Sequence, residues 1–333
     1  MKNAEKLVEF INGCHSVFHA TRKMEEYLQS SGFIKLYENQ KWELKEGRNY
    51  YVTRNNTSVV AFKVPAMSQV KSLNIVATHS DSPCLKVKPV ADLNNPHYTR
   101  LNVEVYGGAI YSTWFDRPLS IAGRVVVKRG DQLEIELLDF DENMAVIPNV
   151  AIHQNREINN GYKYNAQTDL IPLVGLGNDE GFLLKKMASI LNCLPEDIKG
   201  YDMFLYNRTK GYLWGKDNEF ISAPRLDDLA CAFASLMGFN YSNSSDAINI
   251  VGVFDNEEVG SMTRQGMASP FLKDVIDRIF AAFGYDESHV NAIMANSFMI
   301  SADNAHAVHP NHPELYDQGN QSYLNNGIVI KRC

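Results

Sequence analysis

Three apolar runs of strand length, each ending in polar residues, organise this chain. Leu73-Asn74-Ile75-Val76-Ala77 leads into Thr78-His79-Ser80-Asp81. Ile248-Asn249-Ile250-Val251-Gly252-Val253-Phe254 leads into Asp255-Asn256-Glu257-Glu258. Ser297-Phe298-Met299-Ile300 leads into Ser301-Ala302-Asp303. Runs of this kind predict buried strands. Residues 1 to 31 predict helix, with Leu7, Val8, Ile11, Phe18, Met24 and Leu28 on an apolar face and Ser31-Gly32 as its end. Tyr50-Tyr51-Val52 and Ser58-Val59-Val60-Ala61-Phe62 read as short strands, with Asn55-Asn56 turning between them. Two further helices are expected, one through Leu229, Cys231, Ala232, Phe233 and Leu236, the other around residues 270–283.

Between Lys88 and Glu219 the texture changes. Short β-like runs dominate, among them residues 101–106, 123–127, 133–138 and 203–206, punctuated by Gly, Asn and Asp. The pattern predicts an α/β domain with a central, mostly parallel sheet, built from 1–88 and 220–333 and interrupted by a β-rich insertion over 89–219.

The bulk properties narrow the classes. A chain of 333 residues exceeds the usual size of one core, which agrees with two domains. The net charge of −7, without a basic block, argues against a nucleic-acid partner. No apolar run reaches the length of a membrane span, and the start, Met1 to Lys6, lacks the apolar stretch of a secretory signal. The cysteines (Cys14, Cys84, Cys193, Cys231, Cys333) are odd in number and scattered, which fits a reducing cytoplasm.

The chemistry sits at the strand ends. His79, the Glu257-Glu258 pair and Asp303 each follow a predicted strand, and Asp227 lies near a helix start. In a parallel sheet such loops converge on one edge. Adjacent carboxylates repel, so Glu257 and Glu258 suit a site with cations: one ligates while its neighbour acts as general base on the attacking water. His, Asp and Glu are the donors of hydrolytic zinc sites, and two metals about 3.5–4 Å apart need a bridging carboxylate, for which Asp227 is the natural candidate. Asp81 is placed to hold the second nitrogen of His79. Taken singly, His79 is as well read as a hydrogen-bonded core histidine, Asp227 and Asp303 as helix caps, and the Glu pair as a solvated loop. Their common placement favours the metal reading.

Five segments carry a more specific resemblance. They are Ala77 to Leu85 (ATHSDSPCL), Ser112 to Arg117 (STWFDR), Ser222 to Asp227 (SAPRLD), Asp255 to Ser261 (DNEEVGS), and Ser301-Ala302-Asp303 followed by His306 to Asn311 (HAVHPN). In order and across nearly the whole chain they resemble the aspartyl aminopeptidase family, dizinc metalloaminopeptidases that include the vacuolar aminopeptidase I type. The resemblance implies a zinc-peptidase-like catalytic domain and a β-rich dimerisation and lid domain. It implies that His79 and Asp303 bind one zinc, that Asp227 bridges, that Glu258 binds the second zinc, and that Glu257 is the general base. Asp81 would orient His79. His153 matches a histidine that reaches a neighbouring subunit's active site, Lys331 matches a lysine associated with an acidic substrate side chain, and His306, in the family motif that follows Asp303, is expected among the substrate-binding residues. Peptides would be the substrates, and dimers building to a dodecamer the assembly.

The resemblance also sets an expectation of incompleteness. Family members continue for roughly another hundred residues, which supply the last histidine ligand of the second zinc, and no histidine here matches it. Weak binding at the second site is therefore expected. The alternative is a catalytically impaired relative acting as an assembly subunit. A deacylase or carboxypeptidase on a related scaffold would share the His/Asp/Glu layout, but the STWFDR and HAVHPN segments argue against it.

Overall fold

The computed structural model describes residues 2–93 and 95–331. The N-terminal helical stretch is two helices, α1 (Asn3–Asn12) and α2 (Val17–Ser30), separated at Gly13 to Ser16. Strands β1 (Ile34–Leu36), β2 (Asn49–Arg54), β3 (Ser58–Lys63) and β4 (Ser72–His79) follow. Asn55 and Asn56 turn β2 into β3 with φ of 56° and 58°, a left-handed region that asparagine tolerates.

The chain then leaves this sheet. Strands β5 (Cys84–Leu93), β6 (Tyr98–Tyr106), β7 (Leu119–Arg129), β8 (Gln132–Asp139) and β9 (Leu173–Leu176) belong to a second sheet, and helix α3 (Phe182–Leu191) and strand β10 (Ile198–Asn207) complete its domain. A small hairpin of β11 (Tyr212–Trp214) and β12 (Phe220–Ser222) leads back. Helix α4 (Leu226–Tyr241), strand β13 (Ala247–Phe254), helices α5 (Phe271–Ala282) and α6 (Glu287–Ala295), and strand β14 (Phe298–Ser301) return to the first sheet. Among the described residues no helix is long and apolar enough to cross a membrane.

The first sheet has the order β1-β2-β3-β13-β4-β14. Its β13-β4-β14 half is parallel, as is the β1-β2 pair, whereas β3 runs antiparallel to both its neighbours. Every residue of β13 is buried, because helices cover both faces. Ile248 and Ile250 face a core with Val60, Phe62, Ile75, Phe271 and Phe280. Val251 and Val253 face the opposite core with Val59, Met24, Leu28, Leu229 and Leu236. Each such aliphatic side chain contributes about 1.5–3 kcal/mol by leaving water.

The second sheet, β8-β7-β10-β5-β6-β9, is antiparallel throughout and packs its own core against α3. Its first strand starts at Cys84, ahead of residue 88, so the crossing between sheets is the short segment directly after His79 and Asp81. The N-terminal helices join the two parts. His15 stacks on Tyr206 with ring centroids 4.3 Å apart, and the Arg124 guanidinium lies 4.6 Å from the Phe18 ring. Cys14, Cys84, Cys193 and Cys231 are free thiols, and Cys333 lies outside the described residues.

Candidate metal centre

Parallel pairing of β13 and β4 puts Phe254 opposite His79, and β14 aligns Ser301 with Ala77. The three loops therefore leave the sheet side by side, as the strand ends predict. α4 delivers the fourth contribution. Its second and third residues, Asp227 and Asp228, depart from helical geometry, and regular helix begins after them. Ser82 Oγ donates to the Asp227 main-chain carbonyl at 2.6 Å, which holds the outgoing and returning crossings together.

His79 is the buried centre of the group. Its Nε2 lies 3.3 Å from Asp227 Oδ1, 3.9 Å from Asp303 Oδ1, 4.0 Å from Asp228 Oδ2 and 4.0 Å from Glu257 Oε2. His79, Asp227, Asp228 and Asp303 each present a donor atom within 4.8 Å of the others. Asp227, Glu257 and Asp303 keep substantial exposure, so the group faces solvent on one side. On the other side Nδ1 lies 3.1 Å from the Asp81 carbonyl and 3.4 Å from its carboxylate.

Asp81 also organises the glutamate loop. Its carboxylate accepts from Glu257 N–H at 3.1 Å, Glu258 N–H at 3.2 Å and the Tyr106 hydroxyl at 2.6 Å. Tyr106 in turn accepts from Asn256 Nδ2 at 2.9 Å. Tyr106 ends β6, so the second sheet reaches into this loop. The next residue, Gly107, has φ of 70°, and a Cβ there would sit 2.9 Å from Glu258 Cβ. Only glycine allows that approach.

The electrostatics are those of too many carboxylates for the cations present. Burial pushes Glu258 up to about 7, with the charges of Asp81 and Asp227 adding to it. Burial likewise raises Asp227, and Asp303 adds while His79 opposes. Burial alone would lower His79, but its bond to Asp81 and the charges of Asp228, Asp81 and Glu257 win and raise it to about 9. Asp228 is raised by burial; it accepts from Thr78 Oγ1, and its Oδ1 has no partner among the described residues. A clustered imidazole and carboxylates, one with an orphaned buried oxygen, is the donor chemistry of a hard or borderline divalent cation such as zinc. The residues fit the ion.

Of the residues expected from sequence, His79, Asp227 and Asp303 come together, and Glu257 stands at the edge of the group. Glu258 lies on the same loop, half-buried beside Gly107, outside the four-residue group. Lys331 Nζ pairs with Asp303 Oδ2 at 3.2 Å. His306 is exposed, and its carbonyl accepts from Ser322 Oγ at 2.7 Å. His153 is exposed on the segment between β8 and β9. Sequence reasoning passed over Asp228, Tyr106 and Asn256. The doubled aspartate after Leu226 was a visible signal for the first; the other two bond across the two sheets and leave no local mark.

An α/β fold carrying an imidazole–carboxylate cation site at the ends of parallel strands, with an inserted antiparallel domain, defines a metal-dependent hydrolase class. The pattern of the family described as aminopeptidase I zinc metalloprotease (M18) matches residues 10–333, and the chain belongs to that family. It is 44% identical over 343 aligned residues to a probable M18 family aminopeptidase 2 of Clostridium acetobutylicum, covering 99% of this chain and 79% of that protein. The structure of mApe1 from Chaetomium thermophilum superposes with a TM-score of 0.90 at 29% identity, covering 97% of this chain and 79% of that one. The S. cerevisiae mApe1 dodecamer gives a TM-score of 0.84 at 28% identity, covering 97% and 76%.

Proposed function

We propose that the chain is an aminopeptidase that removes N-terminal residues, acidic ones foremost, with Glu257 as general base. The observation that carries this is the convergence of His79, Asp227, Asp228 and Asp303 on one group, with Glu257 Oε2 4.0 Å from His79 Nε2 and exposed to solvent. His79, Asp227 and Asp303 would hold one zinc, and Asp227 with Glu258 a second. Zinc, when bound, supplies positive charge that polarises the scissile carbonyl and favours ionisation of water. Glu257 takes a proton from the water as its oxygen bonds to the first peptide carbonyl carbon. It returns that proton to the departing amine as the C–N bond breaks. Asp81 fixes His79 through its main-chain carbonyl and the main chain of Glu257 and Glu258 through its carboxylate, so one residue orients both a ligand and the base.

Lys331 supplies the cation for an acidic first residue. Its present bond to Asp303 puts it beside the group. The β-rich domain serves in dimerisation and as a lid, with His153 directed to a neighbouring subunit and a homo-oligomer, dimers building to a dodecamer, as the working form. That the S. cerevisiae relative is described as a dodecamer supports the assembly. The test is release of p-nitroaniline from aspartyl-p-nitroanilide by the zinc-supplemented chain beside Glu257→Gln. Hydrolysis lost in Glu257→Gln is expected. Equal rates in the two would refute the assignment of the base, and faster cleavage of leucyl- than of aspartyl-p-nitroanilide would refute the acidic preference.

A further inference from the structure

A cavity of about 840 Å³ lies between the two sheets, and its lining includes none of His79, Asp227, Asp228, Glu257, Glu258 and Asp303. Residues 80–84 and 222–225, the two crossings, form part of its wall. Phe18, Trp114, Phe204 and Tyr206 give it aromatic surface. Its volume falls within the range of small-molecule sites.

Its charge is unbalanced. Lys86, Arg117, Arg124, Lys210 and Arg225 all line it. Lys86 and Arg124 share one carboxylate, Asp202, each at 2.9 Å. Asp81 is committed to Tyr106 and the glutamate loop, and Asp255, the remaining carboxylate of the lining, is pushed up to about 6 by burial and accepts from the Asn256 N–H at 2.7 Å. Arg117 and Lys210 are exposed and so belong to the mouth. Arg225 is enclosed. Its Nε is buried with no hydrogen-bond partner, and Nη2 has only the Ile11 carbonyl at 3.4 Å. Its neighbours Cys14 and Cys84 are thiols that burial pushes up to about 12, hence neutral at working pH. Among the described residues no carboxylate forms an ion pair with it. A guanidinium stays protonated in proteins, and an enclosed one without a counter-charge is costly.

We propose that this cavity binds a small organic anion, its head group held by Arg225 and its apolar body against Phe18, Trp114 and Phe204. Carboxylate and phosphate heads both match the guanidinium fork. The site is separate from the metal group, yet its wall includes Ser80 to Cys84, the segment leaving His79. Occupancy therefore acts on the crossings that carry His79 and Asp227.

The experiment titrates the zinc-loaded chain with phenylacetate, phenylphosphate and neutral phenylacetamide, by calorimetry and tryptophan fluorescence. At least one anion binds, and phenylacetamide binds about tenfold more weakly or worse. The tighter of the two anions identifies the head group. Arg225→Gln abolishes anion binding. The paired change Arg117→Glu with Lys210→Glu, both exposed and so harmless to folding, weakens it several-fold, which keeps the test valid if Arg225→Gln does not fold. Asp303→Asn leaves the affinity unchanged, because the anion is not held by zinc. Equal affinity for the amide, indifference to the mouth variants, loss in Asp303→Asn, or no anion binding up to about 10 mM would each overturn the proposal.

Discussion

Tyr106→Phe removes one oxygen from the second sheet and should disturb the first. That hydroxyl donates to Asp81 Oδ2 at 2.6 Å and accepts from Asn256 Nδ2 at 2.9 Å. Burial and the Asp81 charge both raise the Tyr106 pKa, so it remains a donor at every working pH. A hydrogen bond to a charged group contributes about 1.5–3 kcal/mol, and Asp81 is buried, so water cannot fully replace the lost donor. Asp81 keeps the N–H groups of Glu257 and Glu258, so partial retention puts the expected loss near 2 kcal/mol in urea unfolding. A double-mutant cycle with Asp81→Asn should give a coupling of about 1–3 kcal/mol. If half of the loss appears as misplacement of Glu257, aminopeptidase activity falls about fivefold.

The pH dependence has a definite sign. Burial raises Asp81, but its bonds to His79 and Tyr106 outweigh this and hold it below the usual carboxylate range. Its contribution is thus present above the unfolded-state pKa near about 3.9 and is lost as pH falls through the folded value. Tyr106→Phe narrows the shift, so the stability gap between wild type and variant should be widest at neutral pH and close in acid. A variant as stable and as active as wild type at pH 7, or a coupling below about 0.5 kcal/mol, would refute the bridge between the sheets.

Gly107→Ala places a Cβ 2.9 Å from that of Glu258 at a φ of 70°, so it should cost about 1–3 kcal/mol and lower activity more than Tyr106→Phe does, read by urea unfolding and by p-nitroaniline release. Asp228→Asn keeps the shape but removes the charge beside His79 Nε2, and zinc affinity, measured by competition with a chromogenic chelator, should fall about tenfold or more. Cys14 and Cys84, with thiols pushed up to about 12 by burial, should resist iodoacetamide at pH 8 in the folded chain and react after unfolding, as peptide mass spectrometry would show. Gly123→Ala drives a Cβ to 1.9 Å from the Asp202 carbonyl oxygen, so β7 and β10 cannot keep their pairing, and loss of soluble folded protein is expected on expression.

What could be read in the sequence was what the chain encodes locally. β4 and β13 are apolar runs bounded by polar residues, and both are strands ending beside His79 and Asp255. The convergence of His79, Glu257 and Asp303 followed from parallel pairing alone, since parallel neighbours end at the same edge. Local pattern did not reveal that β3 runs antiparallel to β13, because a buried strand looks alike in either direction. Nor did it separate α1 from α2, since both carry apolar residues at helical spacing and only Gly13 to Ser16 part them. α3 passed unseen among strands. Asp228 and Tyr106 act through partners 150 and 25 residues away, a distance no window spans.

The placement of the insertion follows the same logic. It leaves within five residues of His79 and returns within five of Asp227, and Ser82 ties the two crossings at 2.6 Å. A movement of the β-rich domain must therefore pass through the two segments that carry a buried imidazole and the carboxylate nearest to it. Tyr106 adds a third connection, to the loop of Glu257 and Glu258. A rigid spacer would have needed none of these contacts. Their concentration at one edge makes the second sheet part of the support of the His79 group, which is why the decisive perturbation is a hydroxyl on β6 and not a side chain of the first sheet.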